Sequence, residues 1–339
     1  MKQWVLAARP EGLATEADFR LEDAPRPEPG PGQVLLKTQY LGVAPVMLRY
    51  MTNETDFERD LAIGDVMHGR GVGQVVASRN PRYREGDLLS AKLGWREYAL
   101  IDDDPYYLVH RMGAPDLPWS YGVSALGFNG FSTLVGMREI GQVRAGDRVL
   151  VSGAAGSVGS SAAFVARQLG AAQVVGIAGG PAKCRVLTER LAYDAAVDYK
   201  GDDIEARLDA LFPEGVDVFF DNVGGVLLDQ VLARIRRRAR ITICGRISEY
   251  LKDPADYHRY ANLYRLALMD AKMEGFFIYD HAEHFSDHER TLAQWIREDA
   301  LRPLEDLLEG LEAMPAALIS LYDGTNTGTR AVRIDPQAH

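Results

Sequence analysis

A doubly wound α/β fold joined to a β-rich part is what this sequence predicts, and three observations carry the prediction. From about residue 145, compact apolar runs alternate with segments of helical length and pattern. The glycine-rich turn Gly153-Ala154-Ala155-Gly156-Ser157-Val158-Gly159 separates the first apolar run from the first helical segment. Before residue 110 the pattern is different, with short strands punctuated by Gly, Pro and Asn. Strands spaced by helices need crossover connections, so the second part is expected to hold a parallel sheet.

Taken in order, residues 32–43 alternate apolar and polar from Val34 to Val43, as a half-buried strand does. Residues 72–78, 84–90 and 95–101 predict further strands, and the Pro-rich stretch 22–32 an exposed turn. Between Asp116 and Arg138 lie 21 uncharged residues, nominally a membrane-spanning length. Pro118, Asn129, four glycines and the lack of a flanking Lys/Arg cluster favour a buried helix instead. The alternation that follows predicts strands at 147–153, 172–178, 195–200, 216–225, 239–245 and 272–280. Helices are expected at 157–170, 181–192, 204–212 and 226–235. Beyond about residue 300, a helical segment and the strand Thr329–Asp335 read as a return to the first part.

A chain of 339 residues suits two domains. Lys+Arg 38 against Asp+Glu 48 leaves a net charge of −10, which argues against nucleic acid as a partner. A 47% hydrophobic and 25% charged composition is that of a soluble globular protein, with no membrane partner expected. Two cysteines, Cys184 and Cys244, exclude a disulfide framework and a four-thiolate zinc lobe. The N-terminal residues do not read as a signal peptide, so a cytoplasmic location is expected.

The glycine turn carries the chemistry. Small residues let backbone approach a pyrophosphate, and the helix that follows offers unpaired N–H groups and a partial positive charge. After a buried strand and inside a βαβ unit, this is a dinucleotide signature and the fold is of the Rossmann type. An NAD site wants a carboxylate at the end of the second strand to hold the ribose hydroxyls. Here the chain reads Ala178-Gly179-Gly180-Pro181-Ala182-Lys183. A 2′-phosphate meets no repulsion there and Lys183 is placed to pair with it, so NADP(H) is the expected cofactor.

The run Ala154–Gly159 with Gln168-Leu169-Gly170 resembles the zinc-independent medium-chain dehydrogenases/reductases. Phe220-Asp221-Asn222-Val223-Gly224-Gly225, Ile243–Ser248, Met273–Phe276, Met314–Ala317 and Gly324–Gly328 narrow the likeness. They point to the leukotriene B4 dehydrogenase/prostaglandin reductase-like double-bond reductases. The resemblance implies a GroES-like catalytic domain, 1–123 with 301–339, around an inserted Rossmann NADP-binding domain, 124–300. It implies cofactor contacts from Ala155, Gly156, Ser157, Val158, Gly159, Gly179, Lys183, Tyr199, Asn222, Gly245, Ser248, Tyr250 and Asn326. The chain also departs from the family. Where Asp-Pro-Tyr-Met-Arg is usual it reads Ala44-Pro45-Val46-Met47-Leu48, losing a substrate-side tyrosine and arginine, and Thr329 stands for a lysine in the tail.

The activity expected is hydride transfer from NADPH to the β-carbon of an α,β-unsaturated carbonyl, with the enolate protonated by a tyrosine or by water. Tyr257, by its offset from Ser248, matches the family's active-site tyrosine, and Tyr50 is placed to replace the hydroxyl lost at Val46. Tyr260 and Tyr264 share the same loop. The alternatives are a quinone reductase and an NADPH-binding protein with little reductase activity. No metal is expected: His68-Gly69-Arg70 puts an arginine where a zinc-dependent relative carries glutamate. His281, His284 and His288 share no helical face and read as surface residues. Arg234, Arg236, Arg237, Arg238 and Arg240 read as cations closing a helix. Phe276–Tyr279 forms an apolar edge strand, so a homodimer through residues 273–279 is expected.

Overall fold

The computed structural model describes residues 1–55 and 57–339. The chain divides into two compact units. Unit 1 comprises Met1–Phe128, Tyr279–Ala293 and Glu305–His339, and unit 2 comprises Asn129–Ile278 and Gln294–Leu304.

Unit 1 is built on a seven-stranded sheet. The strands Val34–Gly42, Arg70–Ser78 and Leu88–Lys92 run antiparallel at its centre. The tail supplies Thr329–Arg333, antiparallel to Val34–Gly42, and Glu305–Glu309 beside it in parallel. A hairpin of Lys2–Leu6 and Phe19–Asp23 adds a separate ribbon. Its core holds Trp95, Leu36, Leu41, Met51 and Met67, together with Met314, Ala317 and Leu318 from the tail. Leu88 starts the third strand later than the sequence predicts, because Arg84–Asp87 is closed into a turn by the Asp87 carboxylate, which accepts from the Arg84 N–H.

Unit 2 is an open six-stranded sheet, entirely parallel. In space its strands run Ala195–Asp198, Gln173–Ala178, Arg148–Val151, Val216–Asp221, Ile235–Ile243 and Lys272–Gly275. The first strand of this sheet in sequence, Arg148–Val151, therefore lies between its second and fourth. The order reverses there, which makes its carboxyl end a switch point for ligands. Val149, Leu150, Val151, Val174 and Val175 are fully buried, as strands covered on both faces must be. The uncharged stretch ends in the buried helix Phe128–Val135, and no helix among the described residues is long and apolar enough to cross a membrane.

Three expectations are corrected here. The last strand stops at Gly275, where its partner strand ends at Ile243, and Ile278–His284 continues as a 3-10 helix. The helix of Gly225–Leu232 ends before the arginine run, so Arg236, Arg237, Arg238 and Arg240 lie in the strand Ile235–Ile243 and do not close a helix. Ile235, Ala239 and Ile241 are buried and fix that strand, while Arg236 pairs with Asp217 and Arg240 with Asp147. His288 is buried on the helix Phe285–Arg297, unlike the partly exposed His281 and the exposed His284.

Candidate active site

The glycine turn follows the central strand of unit 2, and two of its glycines have a structural reason. A Cβ on Gly159 would meet the Gly153 carbonyl oxygen at 2.4 Å and Ala154 Cα at 2.6 Å. Only glycine lets the helix Gly159–Gln168 start this close to the strand. Gly153 itself turns at φ +58°, the left-handed region. Ala155 is buried while Gly156, Ser157 and Val158 remain partly exposed. Backbone N–H groups at a helix start of this kind are suited to an anion.

The neighbouring strand ends complete one rim. Next to the turn, the end of Val216–Asp221 is locked by Asp221, which is fully buried. Its carboxylate accepts from the Ser152 hydroxyl at 2.6 Å and from the Val223 and Gly224 N–H groups at 3.0 Å. Burial raises the Asp221 carboxyl above the usual carboxylate range, against the pull of these donors. The Asn222 amide donates to the Ser152 carbonyl at 2.7 Å, fixing the side chain across the switch point. Gly245 lies against Asn222, and the Tyr250 hydroxyl lies 3.7 Å from where a Gly245 Cβ would stand. Ser248 donates to the Val223 carbonyl at 2.7 Å.

At the end of the second strand the Tyr199 ring lies on Gly179, where an added Cβ would be 2.8 Å from the phenol carbons. Tyr199 is 53% exposed and offers a flat surface beside the helix that carries Lys183. The Asp198 carboxylate near this turn accepts from the Gly180 N–H at 2.7 Å. That bond, with one from the Lys200 N–H, holds Asp198 below the usual carboxylate range. These residues fit a dinucleotide with a 2′-phosphate: backbone cradle, aromatic shelf and lysine follow one another along the strand ends.

Of the nominated residues, only Tyr50 and Asn326 belong to unit 1. Asn326 is buried and donates to the Gly328 carbonyl at 3.4 Å. In the tyrosine loop of unit 2, Tyr260 accepts from the Gly225 N–H at 3.2 Å and so anchors the loop. Asp229 anchors it further, accepting from the Ala261 and Asn262 N–H groups and from His258. Tyr257 stays partly exposed, with the Arg246 guanidinium 4.9 Å over its ring.

Unit 1 contains a polar and aromatic cluster of which the sequence reading nominates Tyr50 alone as a site residue. Tyr50 sits edge-on to Phe57 and to His68, each at 6.1 Å between centroids. Its hydroxyl bonds with Tyr279, whose phenol burial pushes upward while Arg70 opposes the shift. Lys92 pairs with Glu58 at 3.0 Å, the two side chains only 6% and 3% exposed. Burial lowers the Lys92 ammonium, with Glu58 opposing. The signal was in plain view at Arg70, which stands where a zinc-dependent pattern carries glutamate. Among the described residues, no group of three or more His, Cys, Asp or Glu could hold a metal ion.

A family model described as the N-terminal domain of oxidoreductases matches residues 2–109, and one described as zinc-binding dehydrogenase matches 157–298. The chain is 36% identical over 338 residues to an NADPH-dependent curcumin reductase of Escherichia coli, covering 98% of this chain and 96% of that one. It is 32% identical over 339 residues to an NADP(+)-dependent 2-alkenal reductase of Nicotiana tabacum, covering 98% and 97%. The solved structure of CurA from Vibrio vulnificus in complex with NADPH superposes with a TM-score of 0.89 at 31% identity, over 99% of both chains.

Proposed function

The chain belongs to the zinc-independent medium-chain dehydrogenase/reductase double-bond reductases, and from that premise we propose the reaction it performs. It is an NADPH-dependent oxidoreductase that reduces the C=C bond of an α,β-unsaturated carbonyl compound. The observation that carries this reading is the likeness, along nearly the whole chain, to NADPH-dependent curcumin and 2-alkenal reductases. The carboxylate-free turn after Ala178 and the shelf of Tyr199 on Gly179 support the phosphorylated cofactor.

When bound, the cofactor supplies a hydride, which goes to the β-carbon. The Gly153–Gly159 turn binds the pyrophosphate, Lys183 and Tyr199 take the 2′-phosphate side, and Asn222, Gly245, Ser248 and Tyr250 border the nicotinamide half. We assign the substrate role to the GroES-like part, 1–123 with 301–339, and the cofactor role to 124–300. As charge develops on the carbonyl oxygen, a fixed O–H donor stabilises it by roughly 3 kcal/mol. Tyr50 and Tyr257 are the two phenols proposed to donate there and to deliver the proton to the enolate. We further propose that the protein works in the cytoplasm as a homodimer. Lys272–Gly275 is the last strand of its sheet, and Phe277 beyond it is 37% exposed. Such an edge invites a second copy.

NADPH oxidation against 2-alkenals, enones and quinones, with NADH as control, tests the reading. Consumption with alkenals and enones is expected. Turnover with quinones alone contradicts it, as does NADPH binding without turnover on any member of the panel. Sedimentation at micromolar concentration tests the dimer, a single monomeric species being the contrary result.

A further inference from the structure

The charges around Lys92 do not pair off evenly. Lys92 has Glu58 at 3.0 Å and Arg59 has Asp104 at 2.5 Å. Arg70, the third cation, has no carboxylate within 4.0 Å among the described residues. Its Nη2 donates to the Leu108 carbonyl at 3.2 Å. Its Nη1 is buried and meets no acceptor among the described residues. Burial lowers the guanidinium to about 10, while Tyr279, Tyr50 and Glu58 act against the shift. Arg70 therefore stays charged at neutral pH. A buried charge with an unused donor is costly unless something supplies the acceptor.

The surroundings describe what that something is. The Arg70 guanidinium lies 3.6 Å over the Phe128 ring, and Phe128 meets Tyr279 at 5.2 Å between centroids. Phe57 stands edge-on to Tyr279 at 6.1 Å and is 37% exposed. Arg70, Phe128 and Tyr279 are each partly exposed, while the Arg70 Nη1 is itself buried. Flat aromatic walls around a cation that has no carboxylate partner suit a planar, conjugated molecule carrying one negative charge. A dianion such as phosphate would also face the nearby Glu58 carboxylate, so the geometry favours a monoanion. The chain has lost the arginine of the family pattern at Leu48, and Arg70 restores a guanidinium to the same unit.

We propose that Arg70 is a specificity-determining residue that binds the carboxylate of an unsaturated carbonyl substrate. The proposal rests on the double-bond reductase reading and names the substrate class of that site: acidic enals and enones, in preference to their neutral counterparts.

The test compares 2-alkenals that end in a carboxylate, over several chain lengths, with their methyl esters. It uses the full-length protein with NADPH, and the variants Arg70→Met and Arg70→Lys. For at least one chain length, the wild-type KM for the acid is expected to be tenfold or more below that for the ester. Arg70→Met lowers kcat/KM for the acid at least tenfold more than for the ester, and Arg70→Lys retains part of the preference. Esters reduced with no preference for any acid overturn the proposal and leave the reductase reading standing. A preference that survives in Arg70→Met overturns it too. Reduction of neither series overturns the reductase reading alone. Thermal shift with trans-cinnamate then decides the anion seat: stabilisation of wild type but not of Arg70→Met supports it, and equal or absent shifts overturn it.

Discussion

The two units solve opposite problems. Unit 2 holds its proposed ligand mainly with backbone, at the ends of parallel strands whose burial on both faces fixes their position. Its key residues are small, and what matters is that nothing protrudes. Unit 1 works with long, polar side chains: a buried Lys92–Glu58 pair, a cation–π contact and two bonded phenols. A backbone cradle tolerates variation of side chains but no added atoms. A cluster of buried charges is strongly destabilised when one member of a pair is removed.

This contrast breaks most visibly at Gly159. Gly159→Val puts atoms where the Gly153 carbonyl already stands within 2.4 Å of an added Cβ. We expect NADPH affinity to fall a hundredfold or more, read by cofactor fluorescence. Near-normal binding would show that the turn is not the phosphate cradle.

The tyrosines sharpen the comparison from the other side. Removing the donor hydroxyl, as Tyr50→Phe or Tyr257→Phe, should lower kcat by a factor of roughly ten to a hundred. NADPH affinity should stay near the wild-type value, measured by the same titration. If both variants keep full kcat, the proton comes from water and neither phenol is the donor.

Much of unit 2 was readable in the sequence because its signals are local. A strand, a glycine turn and a helix follow each other within some twenty residues, and the carboxylate missing after Ala178 is visible as written. The errors lay where tertiary pairing decides. The arginine run reads as the end of a helix, yet Ile235, Ala239 and Ile241 draw it into the sheet. The strand at 272 stops early because its neighbour, Ile235–Ile243, stops. Unit 1's cluster was nearly invisible, since Tyr50, Glu58, Arg70, Lys92 and Tyr279 are spread over more than two hundred residues. No periodicity joins them. Only Arg70, out of place in a motif, marked the spot.

A smaller effect is expected at Lys183. Lys183→Ala should weaken NADPH about tenfold, the scale of one charge-assisted contact to phosphate, and leave NADH unchanged. Parallel titrations with the two cofactors measure this directly. Equal losses for both would place Lys183 away from the 2′-phosphate.

The smallest effect concerns pH. Burial raises the Glu305 carboxyl above the usual range, while the Ser124 and Ser120 hydroxyls that donate to it pull the other way. The folded state therefore holds this proton more tightly than the unfolded chain does. Its contribution to stability is full below the unfolded value and is lost as pH rises through the folded one. Glu305→Gln should gain in thermal midpoint relative to wild type as pH rises from the ordinary glutamate range towards neutral. A constant difference across that range would contradict the sign.

The most direct measurement is the fate of the hydride. A 2-alkenal is reduced with NADPH deuterated at the transferable position of C4, and the product is examined by NMR. The account predicts deuterium on the β-carbon, a solvent proton on the α-carbon and an intact aldehyde. Deuterium on the carbonyl carbon, with an unsaturated alcohol as product, would contradict it.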